Sequence, residues 1–330
     1  MATSLAEIRA KLAAADTRSN STVNSDGGIY PHWNIEENTS AKIRFLPDGD
    51  PKNTFFWVER AMIRLPFSGV KGQADSRPVQ VQVPCMEMYG KDVPCPILAE
   101  VRTWFKDPSL EEMGRKYWKK KSYLFQGFVR ENPIKEDQTP ENPIRRFIIS
   151  PQIFNLIKSS LMDPELENLP TDYDHGLDFT VTKTSKGGYA DYSTSKWARR
   201  ETALSSADRE VLERFGLFNL SEFLPKKPGE TELRVIKEMF EASVNGEEYD
   251  SARWGQYYKP AGFAVAAEAT ETTEPARAEV KPTVSATAPM RDDDHDEDDH
   301  VEPVQVPTPA AKTNNQRAED ILAMIRNRQK

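Results

Sequence analysis

The richest run of chemically capable side chains is Arg115-Lys116-Tyr117-Trp118-Lys119-Lys120-Lys121-Ser122-Tyr123-Leu124-Phe125, which leads into Phe128 and Arg130. Cations interleaved with aromatic rings suit one chemistry above others. Ammonium and guanidinium groups neutralise closely spaced phosphates, and ring faces stack on bases that a duplex would hide. Each stacked base contributes about 1–3 kcal/mol with little sequence preference. Lys183, Lys186, Tyr189, Tyr192, Lys196, Trp197, Arg199 and Arg200 repeat the mixture further along. A plainer reading stands beside this one: strand aromatics are often core, and lysine runs are often solvated surface.

Catalytic chemistry has no comparable grouping. The chain holds no P-loop, no G-x-S-x-G, no H-E-x-x-H and no G-x-G-x-x-G. Of the four histidines, His32, His175, His295 and His300, two sit in an acidic stretch near the end. These residues point to a binding protein and not to an enzyme.

The elements that must position the two basic-aromatic runs follow from hydrophobic period. Ala41–Leu46 alternates and ends at Pro47-Asp48-Gly49-Asp50, a strand and a turn. Phe55–Leu65, Tyr123–Val129, Arg146–Ile149 and Leu177–Thr182 are strand-like, with a polar, Pro-rich loop over Glu131–Asn142. Lys186-Gly187-Gly188-Tyr189 is a Gly-Gly turn. Ser150–Leu161, Ser206–Phe215 and Glu230–Ala242 read as helices. Short strands with a few helices suggest a mixed β/α core built on a small barrel with accessory elements.

Outside this core, expected over 29–258, the composition changes. Ser4-Leu5-Ala6-Glu7 has capping-box spacing ahead of Leu5, Ile8 and Leu12 on one face, so residues 1–28 read as a helical arm and linker. That arm either docks on its own core or binds a partner. Residues 259–330 read as a disordered acidic tail around Asp292, Asp293, Asp294, Asp296, Glu297, Asp298 and Asp299. It ends in a short amphipathic piece with Ile321, Leu322, Met324 and Ile325.

Charge follows the same division. The formal net charge is −8, but residues 261–330 carry 14 acidic and 8 basic side chains, leaving the other 260 at −2. Within them, 101–130 holds 8 basic and 3 acidic residues, and 181–202 holds 5 and 2. A polyanion responds to those local fields and not to the total. Cys85 and Cys95 are the only cysteines, too few for a disulfide framework, which suits a reducing intracellular setting. Arg9 and Lys11 interrupt any leader-like apolar run, and no apolar run reaches membrane-spanning length, so no membrane partner is expected.

Three of these segments, in this order, resemble the helix-destabilising single-stranded-DNA-binding protein of T-even-type bacteriophages. Ile43-Arg44-Phe45-Leu46-Pro47 is similar to that family's opening strand. Lys119-Lys120-Lys121-Ser122-Tyr123 sits where the family has a basic run, hydroxyl residues and an aromatic. Asp178-Phe179 through Lys183, then Gly187, Tyr189, Tyr192 and Ser195-Lys196, is similar to its strand-turn-aromatic segment.

The resemblance implies an OB-type barrel with a helical subdomain, an arm for self-association along DNA, and a tail that docks phage replication and recombination proteins. It places the protein in the cytoplasm of an infected bacterium, coating single strands during replication, recombination and repair. Lys119, Lys120, Lys121, Tyr123, Lys183, Tyr189 and Tyr192 would line the DNA cleft. Charge and spacing add Arg115, Lys116, Tyr117, Phe125, Arg130, Lys186 and Lys196.

The sequence departs from the family in two places. The family's zinc is held by one histidine and three cysteines spaced C-x9-C-x2-C. Cys85 and Cys95 keep the nine-residue gap, but Leu98 replaces the third cysteine and no histidine occurs between His32 and His175. No metal or other cofactor is therefore expected. The arm also lacks the family's basic cluster, with only Arg9 and Lys11 near its start.

Mechanistically, a protein that binds single strands and not duplex shifts melting by mass action. The Asp292–Asp299 cluster either competes for the basic cleft, since about 33 intervening residues give a coil reach of roughly 30 Å, or only keeps a concentrated protein soluble. The alternative from another class is a protein-interaction scaffold of a phage replication or assembly complex. A nuclease is a third option, without a visible ligand set.

Overall fold

The strand beginning at Thr39 shows how this chain builds a core. In the computed structural model, which describes residues 28–73, 76–90, 92–136 and 139–260, β1 spans Thr39–Leu46. Ala41, Ile43 and Phe45 point to one buried face, while Arg44 and Leu46 are buried on the other. The helical arm and the acidic tail with its terminal piece lie outside the described residues.

The chain forms two compact units. One holds the described residues up to Glu59 together with those of Ser122–Leu224; the other holds the described residues of Arg60–Lys121 and from Pro225 to Pro260.

In the first unit, β4 (Lys120–Glu131) pairs antiparallel with β1 and, through Tyr123–Gly127, with β5 (Arg145–Ile149). The other edge of β1 pairs with β6 (Asp178–Lys186), which turns back into β7 (Tyr189–Asp191) and also takes β8 (Lys196–Trp197). The strand order runs out at β7, so the sheet is open and antiparallel, not the closed barrel that the strand pattern suggests.

One face of this sheet packs Phe45, Phe125, Phe147 and Phe179 against α3 (Pro151–Leu161). Ser150 caps α3 by accepting from the Ile153 amide, Pro151 occupies the first turn, and Ile153, Phe154 and Ile157 fall on its buried side. The opposite face packs Leu46 and Phe128 against Leu204 and against Val211 and Leu212 of α4 (Ser206–Phe215). That face also holds the wholly buried Arg44 guanidinium. It donates to Asp178 Oδ1 at 2.9 Å, to the Thr202 carbonyl at 2.5 Å and to the Thr202 hydroxyl. Gly127 lets β4 approach β1 here: a Cβ at 127 would stand 2.1 Å from the Arg44 carbonyl oxygen.

In the second unit, β2 (Val58–Phe67, entering the unit at Arg60) pairs antiparallel with β3 (Val79–Pro84) in the register Met62↔Pro84 to Phe67↔Val79. Ala61, Ile63, Leu65 and Phe67 of β2 face a core shared with α1 (Pro96–Trp104), α2 (Glu111–Tyr117), α5 (Glu230–Val244) and α6 (Ser251–Trp254). Sequence analysis assigns no element between Leu65 and Tyr117; β3, α1 and α2 occupy that stretch. No helix among the described residues is long and apolar enough to cross a membrane.

Candidate nucleic-acid interface

Where β6 leaves the sheet, its side chains pass from core to solvent within a few residues. Phe179 and Val181 are buried, Lys183 is half-buried and donates to the Trp33 carbonyl at 2.8 Å, and Ser185 and Lys186 are exposed. Gly187 and Gly188 turn the chain with φ of +60° and +81°, the left-handed pair that a two-residue hairpin requires. This sets Lys186 directly across from Tyr189, whose side chain is 56% exposed.

The hairpin's base is fixed by Asp191. Its carboxylate accepts from Gln152 Nε2 and Ser193 Oγ, each at 2.6 Å, and from Thr184 Oγ1. Those hydrogen bonds, led by the one from Ser193, hold its carboxyl below the usual range. Lys196 in β8 is exposed, and neither it nor Lys186 makes an ion pair among the described residues. Arg199 and Arg200 follow, also exposed.

Other sequence-selected aromatics of the first unit face inward. Phe125 is wholly buried, and Tyr192 packs in the core with the His32 ring edge-on at 5.9 Å. Burial pushes the Tyr192 phenol up to about 12. Tyr123 is buried with its ring stacked on Phe154 at 3.5 Å. Arg130 donates to Asp208 Oδ2 at 2.6 Å and stands 4.0 Å from Asp178, tying β4 to the start of α4.

Rings that sequence analysis treated only as strand take the exposed positions. Phe55 is 58% exposed and lies 4.8 Å from Trp57, which stacks on Phe125 at 5.8 Å. Asn53 holds this loop by donating to Asp48 and to the Trp57 carbonyl. The signal was the run Phe55-Phe56-Trp57, in which period-2 alternation fails.

The second unit divides the first basic-aromatic run. Tyr117 is a core residue: its hydroxyl meets Ser243 Oγ at 3.1 Å and its ring packs edge-on to Trp104 and Phe240. It presents no ring face to solvent. Arg115 pairs with Glu111 at 2.6 Å, Lys116 is exposed, and Lys120 and Lys121 are half-buried. Lys119 donates to Glu87 Oε2 at 3.2 Å, and Glu87 Oε1 accepts from Arg102 at 2.7 Å. Both cations lie 5.8 Å from the Trp118 ring centroid, and Phe105 meets that ring edge-on at 5.2 Å. Sequence analysis missed Glu87, Arg102 and Phe105 as members of this cluster and did not distinguish Trp118 from its buried neighbour.

The thiols of Cys85 and Cys95 lie buried together in the second core. Cys95 stands at the N-cap of α1, where the hydrogen bond with the Cys85 thiol, and after it the backbone amides of Leu98, Met86 and Ile97, draw its thiol down against the opposing effect of burial. The same contact, with burial, pushes the Cys85 thiol up. Two thiols with the wholly buried Leu98 beside them do not supply the four N or S ligands of a structural zinc. Among the described residues, no group of three or more His, Cys, Asp or Glu is arranged to hold a metal ion. A scan against protein families and a search of characterised proteins each return no match for this chain.

Proposed function

We propose that the protein binds single-stranded DNA stoichiometrically, without marked sequence specificity and without catalysis. The observation that carries this reading is the hairpin tip, where exposed Tyr189 stands across a Gly-Gly turn from exposed Lys186. A projecting ring beside a cation offers a base-stacking face next to a phosphate contact, the pair that single-strand binders need. Lys183 on β6 and Lys196 on the neighbouring β8 supply further cations, and Phe55 and Trp57 supply further ring surface in the same unit. Lys119, Lys120 and Lys121 with Trp118 and Phe105 play the corresponding part in the second unit. Tyr117, Phe125 and Tyr192 act as core supports in this reading, and Arg130 as a tie between elements.

An OB-type arrangement of the first unit's strands belongs to the same proposal, as do the phage setting and the role in replication, recombination and repair. These rest on the sequence resemblance, as do self-association through the arm and partner docking through the tail.

Fluorescence titration of the full chain with oligo(dT) and with duplex, across a salt series, tests the reading. Single strands should be strongly preferred. Tyr189→Ala should weaken binding by about 1–3 kcal/mol, the worth of one stacked base. Lys186→Ala should flatten the log–log salt slope by about 0.7. Equal affinity for duplex, or a flat salt response in the unaltered protein, would refute it in favour of a protein-interaction scaffold.

A further inference from the structure

Glu87 is a carboxylate placed where an anion-binding cluster would put its ligand. It sits in the short turn after β3, and its two oxygens accept from Arg102 on α1 and from Lys119 just before β4. Those two cations are the ones that lie 5.8 Å from the Trp118 ring centroid, with Phe105 edge-on behind it and itself 40% exposed. Two cations, a ring within reach of both and an anion bridging them describe a nucleotide subsite with its phosphate position filled from within.

We infer that Glu87 is an internal phosphate surrogate, displaced by a backbone phosphate of single-stranded DNA while the adjoining base stacks on Trp118 and Phe105. The inference rests on the single-strand-binding reading and adds to it a specific subsite and its brake. In the empty protein the carboxylate holds the Arg102 and Lys119 side chains converged, so they need little reordering when a strand arrives. It also makes every arriving phosphate compete with a carboxylate already seated. Displacement breaks two pairs: that with Arg102, whose side chain is 53% exposed, is screened by solvent and weak, and that with Lys119, whose side chain is 22% exposed, is less so. The brake therefore lowers affinity without closing the site.

The charge count at the subsite makes the inference testable by salt as well as by affinity. With Glu87 ionised, one of the two cations is already neutralised, so a phosphate seated there releases less bound counterion than a bare pair would. Glu87→Gln keeps the size of the side chain, leaves one oxygen to accept where the carboxylate has two, and removes that charge competition.

The experiment compares the full chain with its E87Q, E112Q and R102Q variants by oligo(dT) titration at several salt concentrations. Glu112 is exposed and makes no ion pair among the described residues, so E112Q removes the same charge without touching the cluster. E87Q should tighten binding by roughly 3- to 10-fold and steepen the log–log salt slope by about 0.7. E112Q should change affinity less than 2-fold on the order-of-magnitude scale of a screened surface charge, and R102Q should weaken binding. E87Q matching E112Q in both affinity and slope, in a protein that otherwise binds single strands, overturns the surrogate alone. Absence of single-strand binding by the unaltered protein overturns both this inference and the functional reading beneath it.

Discussion

Acidification should unlock the first unit through His32, whose imidazole is wholly enclosed. It packs edge-on to Trp33 at 5.4 Å and to Tyr192 at 5.9 Å, and its Nδ1 has no hydrogen-bond partner among the described residues. Burial, reinforced by the nearby Lys183 ammonium, lowers its pKa from 6.5 to about 4 against an opposing contribution from the Tyr30 carbonyl. Because the folded value is depressed, the unfolded chain binds more protons between pH 4 and 6.5, and stability rises with pH across that window. The contribution is complete above about pH 6.5. The full difference corresponds to about 3 kcal/mol, of which about 2 kcal/mol is already lost at pH 5.

Urea unfolding at a series of pH values measures this directly. His32→Leu supplies the reference, since it keeps an apolar side chain of similar bulk and cannot take a proton. The stabilised carboxylates Asp191 and Asp208 have folded pKa values lowered below 3.8, so their own losses fall mainly at lower pH. The difference between the two proteins from pH 6.5 to 5 therefore isolates the imidazole. Parallel stability curves for the two proteins across that range would refute the reasoning.

Two further substitutions test the packing between β1, β4 and β6. Gly127→Ala sets a methyl group against the Arg44 carbonyl, a backbone atom that cannot swing aside. It should lower unfolding free energy by about 3 kcal/mol or more, the upper end of the range for overpacking, read from the urea midpoint. Asp178→Ala strands the buried Arg44 guanidinium and should destabilise by about 3–5 kcal/mol, whereas adding Arg44→Met should recover part of that loss. Additive losses in the double variant would refute the pairing.

The fold was legible where sequence carries its own punctuation. Ser150-Pro151 starts α3, Ser205 with Asp208 starts α4, and Gly187-Gly188 turns the β6–β7 hairpin, each by local chemistry that a linear reading contains. Boundaries failed where a loop imitates a strand. Phe55 and Phe56 have strand-like composition, yet the Asn53 bond to the Trp57 carbonyl keeps them in the turn and β2 starts at Val58. The Val-Gln-Val-Gln-Val alternation of β3 and the Pro96 start of α1 were readable signals within a stretch to which no element was assigned. Sheet closure is another matter. Whether the edge of β7 meets a further strand depends on long-range pairing that no local pattern encodes.

The candidate site was harder to read, because facing and pairing are tertiary properties. Ser122–Phe128 of β4 is buried on both faces, so no polar alternation tells Tyr123 and Phe125 from solvent-facing rings. Even Gln126 is enclosed there, donating to the Pro47 and Phe218 carbonyls and accepting from the Phe218 amide. Tyr117 and Trp118 are adjacent in a run of apparently equivalent residues, but α2 ends between them and the backbone becomes extended at Trp118. One ring turns into the core while the other lies among cations. Charge counting fails similarly. Of the eight cations in 101–130, Arg102 and Lys119 share Glu87, Arg115 takes Glu111 and Arg130 takes Asp208. Glu87 and Asp208 lie outside the counted window, so at least four of the eight cations are already paired, by three carboxylates of which a local sum omits two. The strength of such a segment toward a polyanion is set by which of those pairs a phosphate can displace, and that makes the bridging carboxylate as informative as the lysines around it.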